Sequence, residues 1–471
     1  MPTFEQTSQL PVDARTLYDW HARPGAFQRL APPWQQIEVL EQQGGIEDGA
    51  RLLMKIDQGP LTLRWEARHR DHIEGEQFAD EQIRGPFKRW VHTHRFEAID
   101  DSTSRLVDHV DYRLPFGPLG ALFGSIPARD TLERMFAFRH RRTIDDLQRH
   151  ADSTRPLSIA VTGSHGLIGS ALCAFLSTGG HDVTRLVRNF DQLDDSSVYW
   201  SPQSGRIDAD GLEGVDAVIH LAGEGVVQPW TDDARRRIRD SRVDGTALLA
   251  DALAGLDDPP NALLAASSVG YYGDTGDDIC SENDGPGDGF LSAVARDWEA
   301  ATSAASDTGI RTVNMRIGAV LTPRGGTLER MVKAVRFAMA HHFGPGGQFV
   351  SWIDIDDVLG AIHFLLMDDE LDGPFNLTAP VPVENRHLID VVGEVLNRPN
   401  IVPVPRRAVE WLTGPGAADE TDLASQRVVP ERLEEAGFQF FYDDLHESVA
   451  MKFGDLALPP SASVDSATPA Q

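Results

Sequence analysis

Residues 157–172 read Leu-Ser-Ile-Ala-Val-Thr-Gly-Ser-His-Gly-Leu-Ile-Gly-Ser-Ala-Leu and place three glycines between a short apolar run and an apolar stretch of helical spacing. After a strand, Gly163 permits a tight turn, Gly166 lets the backbone approach a pyrophosphate, and Gly169 lets a helix pack closely on the strand. The N–H groups at the helix N-terminus then favour phosphate charge. This stretch therefore predicts a strand, a loop and a helix that together bind a dinucleotide.

The segments that follow alternate between strand and helix patterns. Helical spacing over 167–176 is followed by apolar strand patterns at 182–187 and 217–221. Such alternation predicts an α/β fold whose centre is a doubly wound parallel sheet, the NAD(P)-binding Rossmann fold.

The end of the second of these strands favours NADP(H) over NAD. An NAD-binding fold commonly places an Asp or Glu here to bind the ribose hydroxyls. Arg188 stands there instead, with Arg185 and His165 as further candidate neighbours. Because an arginine attracts phosphate, we expect NADP(H) as the cofactor.

Residues 1–150 follow a different pattern. Apolar and polar residues alternate over 51–56, 61–67 and 105–114, which predicts strands with one solvated face. From Pro127 to about Arg149 the spacing becomes helical, and Pro127 suits a first helical turn. The pattern predicts an α+β domain, with a curved antiparallel sheet and a long terminal helix.

Charge and composition narrow the classes of function. At 471 residues the chain is long enough for two or more domains. The net charge of −29, of which −26 falls after residue 150, argues against nucleic-acid binding. Two cysteines, no signal-peptide pattern and no long apolar run predict a cytoplasmic protein without a membrane span. The adjacent pair His341-His342 has no third ligand spaced to join it, so no metal site is predicted.

Three later motifs carry a resemblance to a known family. They are Asp216-Ala-Val-Ile-His-Leu-Ala-Gly, Ala266-Ser-Ser-Val-Gly-Tyr-Tyr-Gly and Trp352-Ile-Asp-Ile-Asp-Asp-Val. Together with the glycine loop they resemble an atypical extended short-chain dehydrogenase/reductase of the NDP-sugar epimerase-like family, sometimes labelled a cell-division inhibitor. The resemblance extends over about residues 157–450.

The flanking regions resemble other modules. In layout, residues 1–150 resemble a START-like, polyketide-cyclase-type (SRPBCC) helix-grip domain, which implies a cavity for an apolar ligand. Its aromatic residues are candidates for the cavity lining, with ordinary core packing the alternative for each one, and they are Trp34, Trp65, Phe78, Phe87, Trp90, Phe96 and Tyr112. The resulting organisation is a START-like domain at 1–150, a linker at 151–156, the NAD(P)-binding domain at 157–400, a small C-terminal family segment at 401–454, and a disordered tail at 455–471.

The loop and the resemblance together imply a set of site residues. The expected cofactor contacts are Gly163, Ser164, His165, Gly166, Leu167, Ile168, Gly169, Arg188, Leu221, Ala222, Gly223 and Ser267. Ser268 and Tyr271 are the candidate catalytic residues, with Tyr272 a weaker alternative.

The usual catalytic pair of this superfamily is missing. Its Tyr-x-x-x-Lys pattern should follow the serine strand by about twenty residues, but Phe290 and Val294 occupy those positions. No lysine stands between Lys88 and Lys333. Two hypotheses therefore stay open. The protein is an NADP(H)-dependent reductase or epimerase of a small or nucleotide-linked substrate, or it is a non-catalytic NADP(H) sensor coupled to an apolar ligand of the N-terminal domain.

Overall fold

The structure is a computed structural model that describes residues 2–58, 61–115, 117–151, 153, 155–336, 346–398 and 415–455. His341-His342, the first part of the C-terminal segment and the tail from residue 456 lie outside this range. The chain divides into two compact units. The first comprises Met1–Ala151, Ser177–Gly180 and the chain from Ala450, and the second comprises Asp152–Leu176 and His181–Val449.

The first unit is built on one seven-stranded antiparallel sheet of order β1-β7-β6-β5-β4-β3-β2. Its strands are β1 (Thr3–Leu10), β2 (Gln36–Gln43), β3 (Arg51–Gln58), β4 (Leu61–Ile73), β5 (Gln77–Arg84), β6 (Arg89–Ala98) and β7 (Ser104–Arg113). Its helices are α1 (Ala14–Ala22), α2 (Ala26–Leu30) and α3 (Gly117–His150).

The long helix α3 begins ten residues before the predicted start at Pro127. The prediction used the preference of proline for a first helical turn, which is a tendency and does not exclude an earlier start. Within the stretch of predicted helical spacing, Phe136 is fully buried and its ring centre lies 5.2 Å from that of Phe4 of β1. The α+β, helix-grip layout is therefore as expected.

The second unit contains an eight-stranded sheet of order β11-β10-β9-β8-β12-β13-β15-β19. All neighbours in it pair in parallel except β10 and the short edge strand β11. The strands are β8 (Ser158–Thr162), β9 (Asp182–Val187), β10 (Ser197–Ser201), β11 (Arg206–Ile207), β12 (Ala217–His220), β13 (Ala262–Ser268), β15 (Arg311–Ile317) and β19 (Gly373–Leu377).

Strand order reverses between β8 and β12, which are neighbours in the sheet although three strands separate them in sequence. In doubly wound sheets the ligand crevice lies at this switch point, outside the carboxyl ends of the strands. The predicted α/β class is confirmed, and the fold places the glycine loop after β8 at that crevice.

Shorter strands and the remaining helices complete the second unit. Three two-stranded sheets pair β14 (Ile279–Cys280) with β21 (Arg427–Val428), β16 (Ala319–Leu321) with β18 (Trp352–Asp354), and β17 (Phe349–Val350) with β20 (Val383–Glu384). The helices are α4 (Leu167–Thr178), α5 (Asp232–Ala254), α6 (Phe290–Ala300), α7 (Ser303–Asp307), α8 (Gly326–Arg336), α9 (Ile355–Met367), α10 (Asn385–Val395), α11 (Pro415–Glu420), α12 (Glu431–Glu435) and α13 (Leu445–Met451).

Buried carboxylates tie the C-terminal segment to the second unit. Asp357 at the start of α9 accepts hydrogen bonds of 2.9 Å from the backbone N–H groups of Phe441 and Tyr442. Asp354 accepts one of 2.6 Å from the Ser448 hydroxyl. The motif Trp352-Ile-Asp-Ile-Asp-Asp-Val thus anchors the later chain. Among the described helices, none is both long and apolar enough to cross a membrane.

Candidate functional site

The glycine loop after β8 has the geometry that the sequence predicts. Gly163 has φ +66°, and a Cβ there would lie 2.8 Å from the carbonyl carbon and oxygen of Leu221. A Cβ at Gly169 would lie 2.2 Å from the carbonyl oxygen of Gly163. The Gly166 N–H donates to that same oxygen over 2.8 Å and closes the turn. The loop is therefore tight and short of side chains, as a pyrophosphate site requires.

Hydrogen bonds hold the ends of β8 and β12 together. Thr162 Oγ1 accepts from the backbone N–H groups of Leu221, at 3.1 Å, and Ala222, at 3.2 Å. His220 bridges Thr162 Oγ1 at 2.7 Å and Thr246 Oγ1 at 2.9 Å. Two of the predicted contact segments, the glycine loop and 221–223, thus form adjoining walls of one crevice.

Most of the remaining predicted cofactor residues lie in the loop or at the start of α4, and Arg188 follows β9, the strand that pairs with β8. Arg188 is exposed immediately beyond the carboxyl end of β9, and His165 is exposed in the loop itself. Ser164 is buried, with Oγ 3.3 Å from His165 Nδ1. Leu167 and Ile168 are half-buried at the start of α4. The exposed Arg188 guanidinium and the backbone N–H groups of the glycine loop are hydrogen-bond donors that suit a phosphorylated ribose.

The serine strand ends in a short turn that holds the candidate catalytic residues. Ser268 Oγ accepts from the Gly270 N–H at 3.1 Å and so caps this turn. Ser267 is buried and donates to Glu299 Oε1 at 2.7 Å. Tyr271 is half-buried. The side chains of Ser267 and Ser268 both have partners within the protein.

Tyr272 has the contacts of a structural residue. It is buried, its phenol donates to Asn376 Oδ1 at 2.8 Å and it accepts from Arg316 Nη1 at 2.8 Å. Burial raises the pKa of Tyr272 to about 12. A phenol held in two internal hydrogen bonds is a poor proton donor near neutral pH.

Sequence reasoning missed the ion pair at the centre of this region. Arg316 binds Glu299 through two hydrogen bonds, Nε to Oε1 and Nη2 to Oε2, both 2.8 Å long. The Arg316 side chain is 4% exposed and that of Glu299 14%. The guanidinium carbon lies 3.6 Å from the centre of the Tyr271 ring. The two residues lie 17 positions apart in the chain, and no local pattern in the sequence indicates that they pair.

The positions of the usual Tyr-x-x-x-Lys pair hold an apolar contact instead. Phe290 is the first residue of α6, and its ring packs edge-on against Trp230 at 5.1 Å between ring centres. Val294, one turn later, is 4% exposed. Neither residue can titrate, so any proton transfer at this site needs another group.

The first unit contains a cavity of about 830 Å³. Apolar side chains form most of its lining, including the predicted aromatics Trp65, Phe78, Phe87 and Trp90. The other aromatic candidates from the sequence pack elsewhere within the unit, and these are Trp34, Phe96 and Tyr112. A cavity of this size and character suits a small apolar molecule.

One wall of this cavity carries a buried cluster of histidines and carboxylates. His92 Nδ1 lies 2.9 Å from Asp80 Oδ2, and His92 Nε2 lies 3.0 Å from Asp108 Oδ1. Asp108 also contacts His94 Nδ1 at 2.6 Å and His140 Nε2 at 2.8 Å. Burial would lower the pKa of His92, but the Asp80 carboxylate raises it to about 9. No local pattern in the sequence indicates that these residues meet.

Comparison with known proteins identifies three parts of the chain. Residues 159–377 match the NAD dependent epimerase/dehydratase family, and residues 10–139 match a family described as polyketide cyclase / dehydrase and lipid transport. Residues 404–450 match a domain of unknown function, DUF1731. These matches agree with the resemblances drawn from the sequence.

Similar proteins carry epimerase names. An epimerase family protein of Mycobacterium bovis is 40% identical over 292 residues, covering 62% of this chain and 96% of that protein. A crystal structure described as a nucleoside-diphosphate sugar epimerase from Corynebacterium glutamicum is 33% identical, with a TM-score of 0.79, and covers 97% of this chain and 91% of its own. The human epimerase family protein SDR39U1, solved with NADPH, is 30% identical with a TM-score of 0.57, covering 63% of this chain and 98% of its own.

Proposed function

The chain belongs to the NAD dependent epimerase/dehydratase family, and on that premise we propose that its second unit binds NADP(H) and uses it for hydride transfer. The observation that carries the proposal is the tight, side-chain-poor loop between Gly163 and Gly169 at the switch point of the sheet. The human relative solved with NADPH supports the choice of cofactor. When bound, NADP(H) supplies or accepts the hydride.

Arg188 is the residue that we propose to distinguish NADPH from NADH. It is exposed at the carboxyl end of β9, where a ribose 2′-phosphate would lie in a doubly wound fold. Hydrogen bonds to a charged group contribute about 1.5–3 kcal/mol. Arg188→Ala should therefore weaken NADPH binding by roughly 10- to 100-fold and leave NADH binding nearly unchanged.

The test is a titration of cofactor-stripped protein with NADPH and NADH, followed by nicotinamide fluorescence. Arg206→Ala is the matched control, because Arg206 is also an exposed arginine of this sheet but lies on the edge strand β11. We expect the control to bind both cofactors like the wild type. Absence of binding by the wild type would refute the cofactor proposal, and equal losses for NADPH and NADH would refute the role of Arg188.

For the reaction itself, we propose Tyr271 as the proton donor and Ser268 as a hydrogen-bonding partner of the substrate oxygen. The phenol of Tyr272 is held in internal hydrogen bonds, whereas Tyr271 is half-buried at the carboxyl end of β13. The substrate class would be a small or nucleotide-linked carbonyl or hydroxyl compound. A positioned acid contributes about 10²–10⁴-fold to rate.

Turnover assays with NADPH against carbonyl compounds, and epimerisation assays with nucleotide sugars, test this assignment. Tyr271→Phe should lower kcat by about 10²-fold or more without changing the Kd of NADPH. Tyr272→Phe is the comparison. It should lower the free energy of unfolding, but the protein that remains folded should keep nearly the wild-type kcat. Full turnover by Tyr271→Phe would exclude Tyr271 as the acid.

A second candidate is a non-catalytic sensor in which NADP(H) and an apolar ligand are both bound. Two observations favour it, the apolar contact at Phe290 in place of the usual catalytic pair and the 830 Å³ cavity of the first unit. The apolar ligand is testable with 1-anilinonaphthalene-8-sulfonate as a fluorescent probe, displaced by fatty acids. Ala67→Phe, which fills the cavity wall, should abolish binding of the probe, whereas Ala98→Phe at the exposed end of β6 should not.

The two candidate functions predict different outcomes. Stoichiometric NADPH oxidation with a defined product would establish the enzyme. Tight NADPH binding with no turnover on any substrate, together with a change in NADPH affinity when a fatty acid is bound, would establish the sensor.

A further inference from the structure

Three side chains from two neighbouring strands converge on the cavity of the first unit. Asp80 of β5 is the cross-strand partner of His92 on β6, and His94 follows two residues later on the same face. Each residue offers one ligand atom, and these three atoms all lie within 4.8 Å of one another. All three residues line the cavity.

We propose that Asp80, His92 and His94 form a binding site for one divalent first-row transition-metal ion, such as Zn²⁺, Fe²⁺ or Co²⁺. Two imidazoles and one carboxylate are a ligand set that suits these ions and leaves coordination positions open. A metal with bonds of about 2.1 Å holds its ligand atoms about 3.4 Å apart, so atoms that lie up to 4.8 Å apart need to close by at most about 1.4 Å. His92 Nδ1 and Asp80 Oδ2, which are 2.9 Å apart, need to separate by about 0.5 Å. The inference does not depend on the cofactor proposal, because the second unit contributes none of these residues.

The strongest support is the carboxylate behind the two histidines. A histidine that binds a metal commonly donates its other ring N–H to a carboxylate, which fixes the orientation of the ring. Asp108 Oδ1 occupies that place for His92, at 3.0 Å from its Nε2, and the same oxygen lies 2.6 Å from His94 Nδ1. His92 Nδ1 then faces Asp80 and the metal position.

Asp108 is itself held in place. It is 2% exposed, and its second oxygen lies 2.8 Å from His140 Nε2 on α3. The other nitrogen of His140 contacts Ser8 Oγ at 2.8 Å. A carboxylate already fixed behind a ligand histidine lowers the free-energy cost of orienting that ring for metal binding. This arrangement therefore favours a metal site.

The position of the site defines what it could act on. Asp80 has a side chain that is 20% exposed, whereas His92 and His94 are nearly fully buried. Open coordination positions of the ion would therefore face the cavity. A guest of this cavity is expected to combine an apolar body with an oxygen donor, such as a carboxylate or an enol, that reaches the metal.

The test is direct metal binding by the full-length, tag-free chain after treatment with a chelator. Co²⁺ is added while visible absorption is followed, and Zn²⁺ is added in a calorimeter. We expect saturation at one ion per chain and a rise in the melting temperature of the first unit, since an ion that binds the folded form stabilises it. No saturable binding of either ion would overturn the proposal.

Variants then locate the bound ion. Asp80→Asn and His94→Gln should each weaken Co²⁺ binding by at least about tenfold and alter the visible spectrum. Asp108→Asn, which changes no ligand, should weaken it by about 10- to 100-fold. His109→Gln is the control. His109 follows Asp108 on β7 and so lies on the opposite face of the strand, where its Nδ1 is 3.1 Å from Glu5 Oε2. Circular dichroism of the metal-free proteins identifies any variant that fails to fold.

Wild-type affinity in both ligand variants would place the ion elsewhere and overturn the assignment. Loss of binding in His109→Gln as well would show that binding is not specific to this cluster, and would also overturn it. Because NADPH titration of the same variants should be unchanged, failure here is distinguishable from failure of the cofactor proposal.

Discussion

Replacing Arg316 by methionine should destabilise the second unit strongly. The guanidinium makes two 2.8 Å hydrogen bonds to Glu299 and a third to the phenol of Tyr272. Methionine is similar in length but carries no charge. The substitution therefore leaves the Glu299 carboxylate in a largely buried place without its cation.

The structure allows an estimate of the size of this effect. Removing one partner of a buried ion pair costs about 3–5 kcal/mol, because the other charge stays buried and uncompensated. For a unit of this size, with an unfolding entropy of roughly 0.6 kcal/mol/K, the loss corresponds to a fall in Tm of about 5–8 °C. Removing both charges, as in Arg316→Met with Glu299→Gln, should recover most of the loss.

Differential scanning calorimetry is the appropriate assay, because a chain with two units need not unfold in a single transition. The transition of the second unit is compared in wild type, the two single variants and the double variant. Arg296→Met is the control, since Arg296 is an exposed arginine of α6 paired with its neighbour Asp297. A Tm change below about 2 °C for Arg316→Met, or a double variant no more stable than the single one, would refute the reasoning.

Three further predictions concern the loop, an internal histidine and the C-terminal segment. Gly169→Ala should reduce NADPH binding by at least about tenfold, because its Cβ would lie 2.2 Å from the Gly163 carbonyl oxygen and force the loop open. Burial lowers the pKa of His220 from 6.5 to about 4, so folding should lose stability as pH falls below 6.5. Between pH 7 and pH 5 this residue accounts for a loss of about 2 kcal/mol, measured as the difference in urea unfolding between wild type and His220→Asn. Asp357→Asn should weaken the anchoring of the segment at Tyr442 and increase its cleavage in limited proteolysis.

Each of these predictions has its own control and contrary outcome. Gly205→Ala, at an open turn with positive φ, tests whether mere backbone strain in the second unit affects NADPH binding. Equal binding losses at both glycines would argue against a local steric effect. The same pH slope in His220→Asn as in wild type would show that His220 does not titrate on unfolding. Unchanged proteolysis of Asp357→Asn would mean that other contacts suffice to hold the segment.

Contiguous residues explain why much of the second unit was predictable. The loop at 163–169, the strand at 182–187 and the Leu-Ala-Gly run at 221–223 each signal their structure through neighbours in sequence. A parallel sheet with its switch point follows from the alternation of strands and helices. The loss of the usual proton-transfer pair was equally visible, because Phe290 and Val294 have no titratable group and no lysine stands nearby in sequence.

Some predictions needed correction or refinement because their signals were local tendencies. Pro127 was interpreted as the start of a helix that begins at Gly117. Of the aromatics expected at a cavity, some line it and others fill the core beside it, because alternation along a strand gives the face of a residue but not its depth.

The sequence by itself determined the α/β and α+β character of the two regions, the glycine loop between strand and helix, and the replacement of the usual catalytic pair by Phe290 and Val294, since these depend on residues close together in the chain. Only the tertiary structure decided which distant charges meet. Glu299 and Arg316 come from a helix and a strand, and the Asp80, His92, His94 and Asp108 cluster comes from three strands whose register brings the side chains to one face. Pairing across strands and burial set these contacts, and neither is encoded in a local pattern that can be read along the chain.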